Sequence, residues 1–164
     1  MALIVEDGTI VANADTFATL SELTDYANNY GVTIPDDDVT LEALLRRAFL
    51  QMIGMSWKGT PVNASQTGAF PRYSLYRNGF YISSSEIPQQ IKMGQMALAA
   101  EIYADDLDPP EARQGAVKSE TVGPLTTSYA TAPNYKARPA AARRSFSHFS
   151  GFLQPMNMGR IYRG

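Results

Sequence analysis

The sequence predicts a mainly α fold: a small bundle of three to four helices with a β-hairpin and an extended C-terminal arm. Three observations predict it. Apolar residues recur at helical spacing behind N-cap residues at three places in the first 104 residues. One run of alternating β-branched and polar residues surrounds Gly123-Pro124. From Ala130 to Arg138 the chain is rich in Ala, Pro, Asn and Lys, the composition of a linker. The predicted organisation is therefore a helical domain over 1–130 with a hairpin at 117–129, then an arm over 131–164.

At the start, Leu3-Ile4-Val5 and Thr9-Ile10-Val11 are β-prone runs flanking Glu6-Asp7-Gly8, a turn signal. Thr19 and Glu22 have capping-box spacing, Leu20, Leu23, Ala27 and Tyr30 follow at helical intervals, and Gly31 supplies a stop, so a helix is expected over Leu20–Tyr30. A second helix is expected over Val39–Met52, its inner face made of Leu41, Leu44 or Leu45, Ala48 and Met52. Asp36-Asp37-Asp38 sit at its positive end, where carboxylates cap and stabilise the dipole. Consecutive carboxylates point apart on a helix, so this triplet is read as a cap and not as a metal site.

Residues 54–85 mix Gly, Pro, Ser and Asn with aromatics, and a connection this long is either functional or packed down by its own side chains. Trp57, the single tryptophan, is expected to plug this loop onto the core. Ser85 reads as the N-cap of a third helix over Glu86–Ala104, with Pro88 in the first turn. Its inner face holds Ile91, Gln95, Leu98 and Ile102, and Gly94 permits close helix approach. Phe146, Phe149 and Leu153 are spaced for a short helix over 139–153, and Arg160-Ile161-Tyr162-Arg163 alternates as a strand-like tip. The expected core includes Leu20, Leu23, Leu44, Leu45, Phe49, Ile53, Leu98 and Ile102.

Composition narrows the function. The 164 residues contain no cysteine and one histidine, which excludes disulfides, thiolate metal sites and cysteine nucleophiles. Charged residues make up 18% of the chain against about 25% in typical domains, a sign that much of the surface meets protein. Residues 1–45 carry nine acids and no base, while residues 133–164 carry six bases and no acid. Ends of opposite sign favour head-to-tail contact between copies, or a basic tail on an acidic partner. The sequence has no run of 18 apolar residues and no signal-peptide pattern at its start, so no membrane association is expected.

No phosphate-binding, dinucleotide-binding or nucleophile-elbow motif is present. Asp105-Asp106-Leu107-Asp108 lacks the glycine and terminal glutamate of a calcium loop, and prolines follow it. His148 reads as a packing or partner-facing residue. The chain is expected not to be an enzyme, with no catalytic residue, cofactor or metal. Aromatics interleaved with bases (Trp57-Lys58; Phe70, Arg72, Tyr73, Tyr76, Arg77; Tyr135-Lys136) either stack nucleobases or pin the loop to the helices. A pI near 5.4 argues against a dedicated nucleic-acid binder.

The order of several segments resembles the small head–tail connector (adaptor, or neck) proteins of tailed bacteriophages. The matching pieces are Val5-Glu6-Asp7-Gly8-Thr9 with Val11-Ala12-Asn13-Ala14; Trp57-Lys58-Gly59, Gln66 and Phe70-Pro71-Arg72; Gly79; Ile87-Pro88; and Gly115 through Pro124. Phe70 stands where such proteins are expected to have a tryptophan. The resemblance implies a structural virion protein, located at the neck and made in the host cytoplasm. It also implies a ring, in twelve copies, that sits beneath the portal protein, receives the tail or the next neck protein, and lets genome DNA pass without sequence-specific binding. Relatives are often labelled DnaT-like single-stranded-DNA-binding proteins, and a replication protein of that kind is the alternative reading. On the adaptor reading the portal contact falls to the arm: Met156, Met158, Ile161 and Tyr162 as apolar anchors, Arg160 and Arg163 as charges. The free subunit is then expected to be monomeric or weakly associated, with rings forming on the portal.

Overall fold

The computed structural model describes residues 2–108, the strands 119–122 and 125–128, and residues 143–155. The architecture is mainly α, with a hairpin at the expected place. Helix α1 (Leu20–Tyr30) opens on the anticipated capping box: Thr19 Oγ1 accepts the Glu22 N–H, and a Glu22 carboxylate oxygen accepts the Thr19 N–H at 2.7 Å. It closes at Gly31, in the left-handed region at φ 60°. Helix α2 (Asp38–Ile53) is capped by Asp37, whose carboxylate accepts the N–H groups of Val39 and Thr40. Hydrogen bonding from Thr40, and to a lesser degree from Val39, holds the Asp37 carboxyl below the usual aspartate range.

Helix α3 (Gln89–Leu107) begins three residues later than expected. A proline disfavours helical geometry in the residue before it, so Ile87 cannot join the first turn. Pro88 itself occupies the N-cap position, and Ser85 turns away to bond Ser83. Helix α4 spans Arg144–Phe149, ending short of the expected 153, and residues 139–142 lie outside the described residues. Its start is fixed by Glu101 on α3, which accepts both the N–H and the hydroxyl of Ser145.

Among the described residues, strands occur as three antiparallel pairs: β1 (Thr60–Pro61) with β2 (Arg72–Tyr73), β3 (Leu75–Arg77) with β4 (Phe80–Ile82), and β5 (Ser119–Val122) with β6 (Leu125–Ser128). The last pair is the hairpin expected over 117–129, in a register that sets Val122 opposite Leu125. The β-prone runs near the N-terminus do not pair with each other. Glu6 is 1% exposed, and its carboxylate accepts the N–H groups of Gly8, Ile10 and Val11. Those donors are the ones a hairpin would need, and Ile10 consequently sits at φ 64°. An isolated parallel bridge, Val5 to Thr16, stands in its place.

Helix α3 runs through the middle of the core, against α1, α2 and α4. Gly94 marks the closest approach, since a Cβ there would overlap the Phe149 ring. The segment 143–155, expected in the arm, is part of the core: Phe149 and Phe152 are buried, and Leu153 bridges to Trp57. Trp57 is buried as expected, its indole N–H donating to the Met52 carbonyl at 2.7 Å and its ring edge-on to Phe70 and Phe149. Leu23, Leu44, Leu45, Phe49, Leu98 and Ile102 are buried too. Leu20 is only partly buried, at the first turn of α1, and Ile53 is 46% exposed, because α2 ends there at the rim of a cleft.

One polar side chain joins these parts. Gln95 on α3 has no exposed surface; its Oε1 accepts the Phe17 N–H at 2.8 Å, and its Nε2 donates to Thr16 Oγ1 and the Leu45 carbonyl, both at 3.0 Å. Replacing it by a methionine of similar shape (Gln95→Met) leaves the buried Phe17 N–H without a partner. The expected loss is about 1–3 kcal/mol, the cost of an unpaired buried group, read as a lower denaturant midpoint at unchanged slope.

Candidate interaction surface

Residues 54–85 separate their aromatics into two classes. Trp57 and Phe70 face inward, and Phe70 lies edge-on to Phe17, Trp57 and Phe152. Tyr73, Tyr76, Phe80 and Tyr81 face outward, at 48%, 57%, 75% and 55% exposure. The inward pair does what the loop-pinning reading requires. The outward four do not.

The local cause is the β3–β4 hairpin. Asn78 and Gly79 both have positive φ, 51° and 84°, the combination a tight two-residue turn demands and that Asn-Gly adopts readily. Strand alternation then sorts the side chains. Leu75, opposite Ile82, is buried at 1%, while Tyr76 and Tyr81 pair on the other face with ring centroids 5.5 Å apart. Arg77, opposite Phe80, lies over the Phe152 ring at 5.0 Å and anchors the hairpin on the body. Alternation around Asn78-Gly79 is a strong hairpin signal, and it is lost when 54–85 is read as one loop.

Three cations border these aromatics, and each is held by a neutral group. Arg72 spends all three guanidinium nitrogens on backbone carbonyls: Nε on Lys58, Nη1 on Ala69 and Nη2 on Gly59, between 2.8 and 3.0 Å. Lys58 Nζ donates to the Gly151 carbonyl at 2.8 Å, and Arg77 is stacked as described. Their charge persists, and each keeps N–H donors beyond these contacts. Elsewhere the bases of residues 2–108 meet acids: Arg46 with Asp15 and Glu42, Arg47 with Asp106, and Lys92 with Glu22.

The other sequence candidates serve packing. Asp105 pairs with Arg143 and Asp106 with Arg47, so two members of the acidic run tie α3 to its neighbours. His148 meets Tyr26 edge-on at 6.3 Å; burial, and to a lesser degree the charge of Arg77, lowers its pKa. Beside β1 and β2 lies an open cleft of about 220 Å³, lined in part by Ile53, Met55, Trp57 and Pro61. Among the described residues no group of three or more carboxylates and imidazoles is placed to hold a metal, and no helix is long and apolar enough to cross a membrane. Met156, Met158, Arg160, Ile161, Tyr162 and Arg163, the expected portal-binding residues, lie outside the described residues.

The two aromatic classes should respond differently to truncation. Trp57→Ala should cost about 3–5 kcal/mol, as for buried large aromatics. Phe80→Ser should change stability by no more than about 0.5 kcal/mol, as for surface positions. Chemical denaturation of both variants checks this, and Trp57 fluorescence should be blue-shifted and shielded from acrylamide until the chain unfolds.

No curated protein and no solved structure matches the chain. A family model described as "Putative DnaT-like ssDNA binding protein" matches residues 1–164. Because that match spans the entire sequence, the chain belongs to this DnaT-like family.

Proposed function

We propose that the chain is a structural virion protein of a tailed phage, a head-to-tail adaptor that forms a ring beneath the portal. The observation that carries this reading is the separation of surface character within one folded body. Residues 1–42 hold nine acids and no base; of the five bases in 43–85, Arg46 and Arg47 are paired with acids, and Lys58, Arg72 and Arg77 border the four outward aromatics. A subunit with two unlike patches makes heterologous contacts, which close into a ring when the rotation permits. The work is mechanical: each copy contacts its neighbours, the portal above and the tail or next neck protein below. Twelve copies would surround a passage for genome DNA without reading its sequence. The C-terminal residues Met156, Met158, Arg160, Ile161, Tyr162 and Arg163 would engage the portal, with backbone pairing for affinity and the arginines speeding encounter. The site of action is the virion neck, after synthesis in the host cytoplasm.

The family description and the outward aromatics support a second reading, binding of single-stranded DNA. Tyr76, Phe80 and Tyr81 offer faces on which bases could stack. Such sites also need cations with donors free for phosphate oxygens. Arg72 and Lys58 are tethered to backbone carbonyls and Arg77 is stacked on Phe152, which limits their reach toward a phosphate although each keeps N–H donors. The acidic balance of the chain, with a pI near 5.4, weighs against this reading.

One pair of measurements separates the two. The adaptor should co-sediment with purified portal and leave a labelled oligonucleotide free at physiological salt. A replication factor should ignore portal and bind the oligonucleotide with an affinity that falls steeply as salt rises. Deleting Arg160–Gly164 should leave the melting temperature unchanged and abolish portal binding; retained binding would move the contact to the helical body.

A further inference from the structure

We propose that the β3–β4 hairpin is the docking knob by which one copy of this chain seats on the next, on the acid-rich surface around Val39. The inference rests on the ring reading and adds to it the contact that builds the ring. Isolated exposed aromatics are ordinary on protein surfaces, but Tyr73, Tyr76, Phe80 and Tyr81 are crowded within nine residues. The knob is also preformed. Leu75 is sunk in the body, Arg77 is clamped over Phe152, and the Tyr76 and Tyr81 rings rest against each other. Docking such an element costs little ordering entropy.

Charge selects the occupant. Lys58, Arg72 and Arg77 flank the knob, held by carbonyls and a ring, so their charge is left to attract an acidic surface. The same chain supplies a surface of that kind. Asp36, Asp37 and Asp38 stand exposed beside Val39, which is 76% exposed, in a stretch of 42 residues without a base. An apolar centre rimmed by acids complements an aromatic centre rimmed by bases. The two patches differ, so the contact runs head to tail and leaves each copy able to accept another.

The lack of native cysteine makes the test direct. A double variant carrying Phe80→Cys and Val39→Cys, both at exposed positions, is oxidised in solution and run without reductant. The expected result is a ladder of multimers, formed about tenfold faster than in a control double variant carrying Phe80→Cys and Leu50→Cys, because docking raises the local thiol concentration. An equal mixture of the two single variants should stop at the dimer. Ladders no faster than the control overturn the proposal. So does an oligonucleotide that, at micromolar concentration, protects the thiol of the Phe80→Cys variant from modification, which would make the hairpin a nucleic-acid surface. Portal co-sedimentation of the unaltered chain keeps the two claims apart: binding without cross-linking removes the knob and leaves the adaptor, whereas absence of binding removes the adaptor itself.

Discussion

A glutamine without exposed surface has two amide protons and a carbonyl oxygen to satisfy, and leaving any of them bare is costly. Gln95 satisfies them on parts of the chain that are far apart in sequence. Its carbonyl fixes the backbone at Phe17, and its amide reaches Thr16 and the Leu45 carbonyl of α2. Two segments, Thr16–Phe17 and α2, are thereby set at one height along α3. Thr16 in turn accepts the Ala18 N–H and donates to the Ala18 carbonyl, which leads the chain directly into the Thr19 cap of α1. A displacement at Gln95 would therefore reach both packed helices.

Another face of α3 depends on a different fit. Gly94, one residue earlier on α3, leaves the space that Phe149 fills. Once α4 is seated there, Phe152 is buried and its ring lies beneath Arg77, while the Gly151 carbonyl receives Lys58. The outward hairpin is thus supported from below by residues more than 60 positions later in the chain. Consecutive residues of α3 link the helical body to the surface on which the functional reading turns.

Much of this was legible in the sequence because it depends on local rules. The Thr19–Glu22 box, the Asp37 cap and the Gly31 stop are short-range chemistry, and the inward periodicity of α2 follows from helix geometry, whereas α3 is buried on every side from Gly94 to Ala100. What was hidden depends on distant partners. Nothing near Glu6 reveals that its carboxylate will be buried and will take the backbone donors of a would-be hairpin. Nothing near Phe149 reveals that it meets a glycine on α3, so residues 143–155 read as an arm until the core is seen. The aromatic hairpin was readable from Asn78-Gly79; its exposure was not, because strand alternation says that Tyr76 and Leu75 face opposite ways without saying which way is out.

On the adaptor reading, the acidic and aromatic patches are two halves of one repeating contact in a ring mounted on a portal. Electron microscopy of the purified chain mixed with portal tests that claim most directly. The predicted result is an added layer beneath the portal with the portal's rotational symmetry, in which the 75–82 hairpin of each copy lies against the Val39 region of the next. Bare portal particles beside unbound subunits would contradict it.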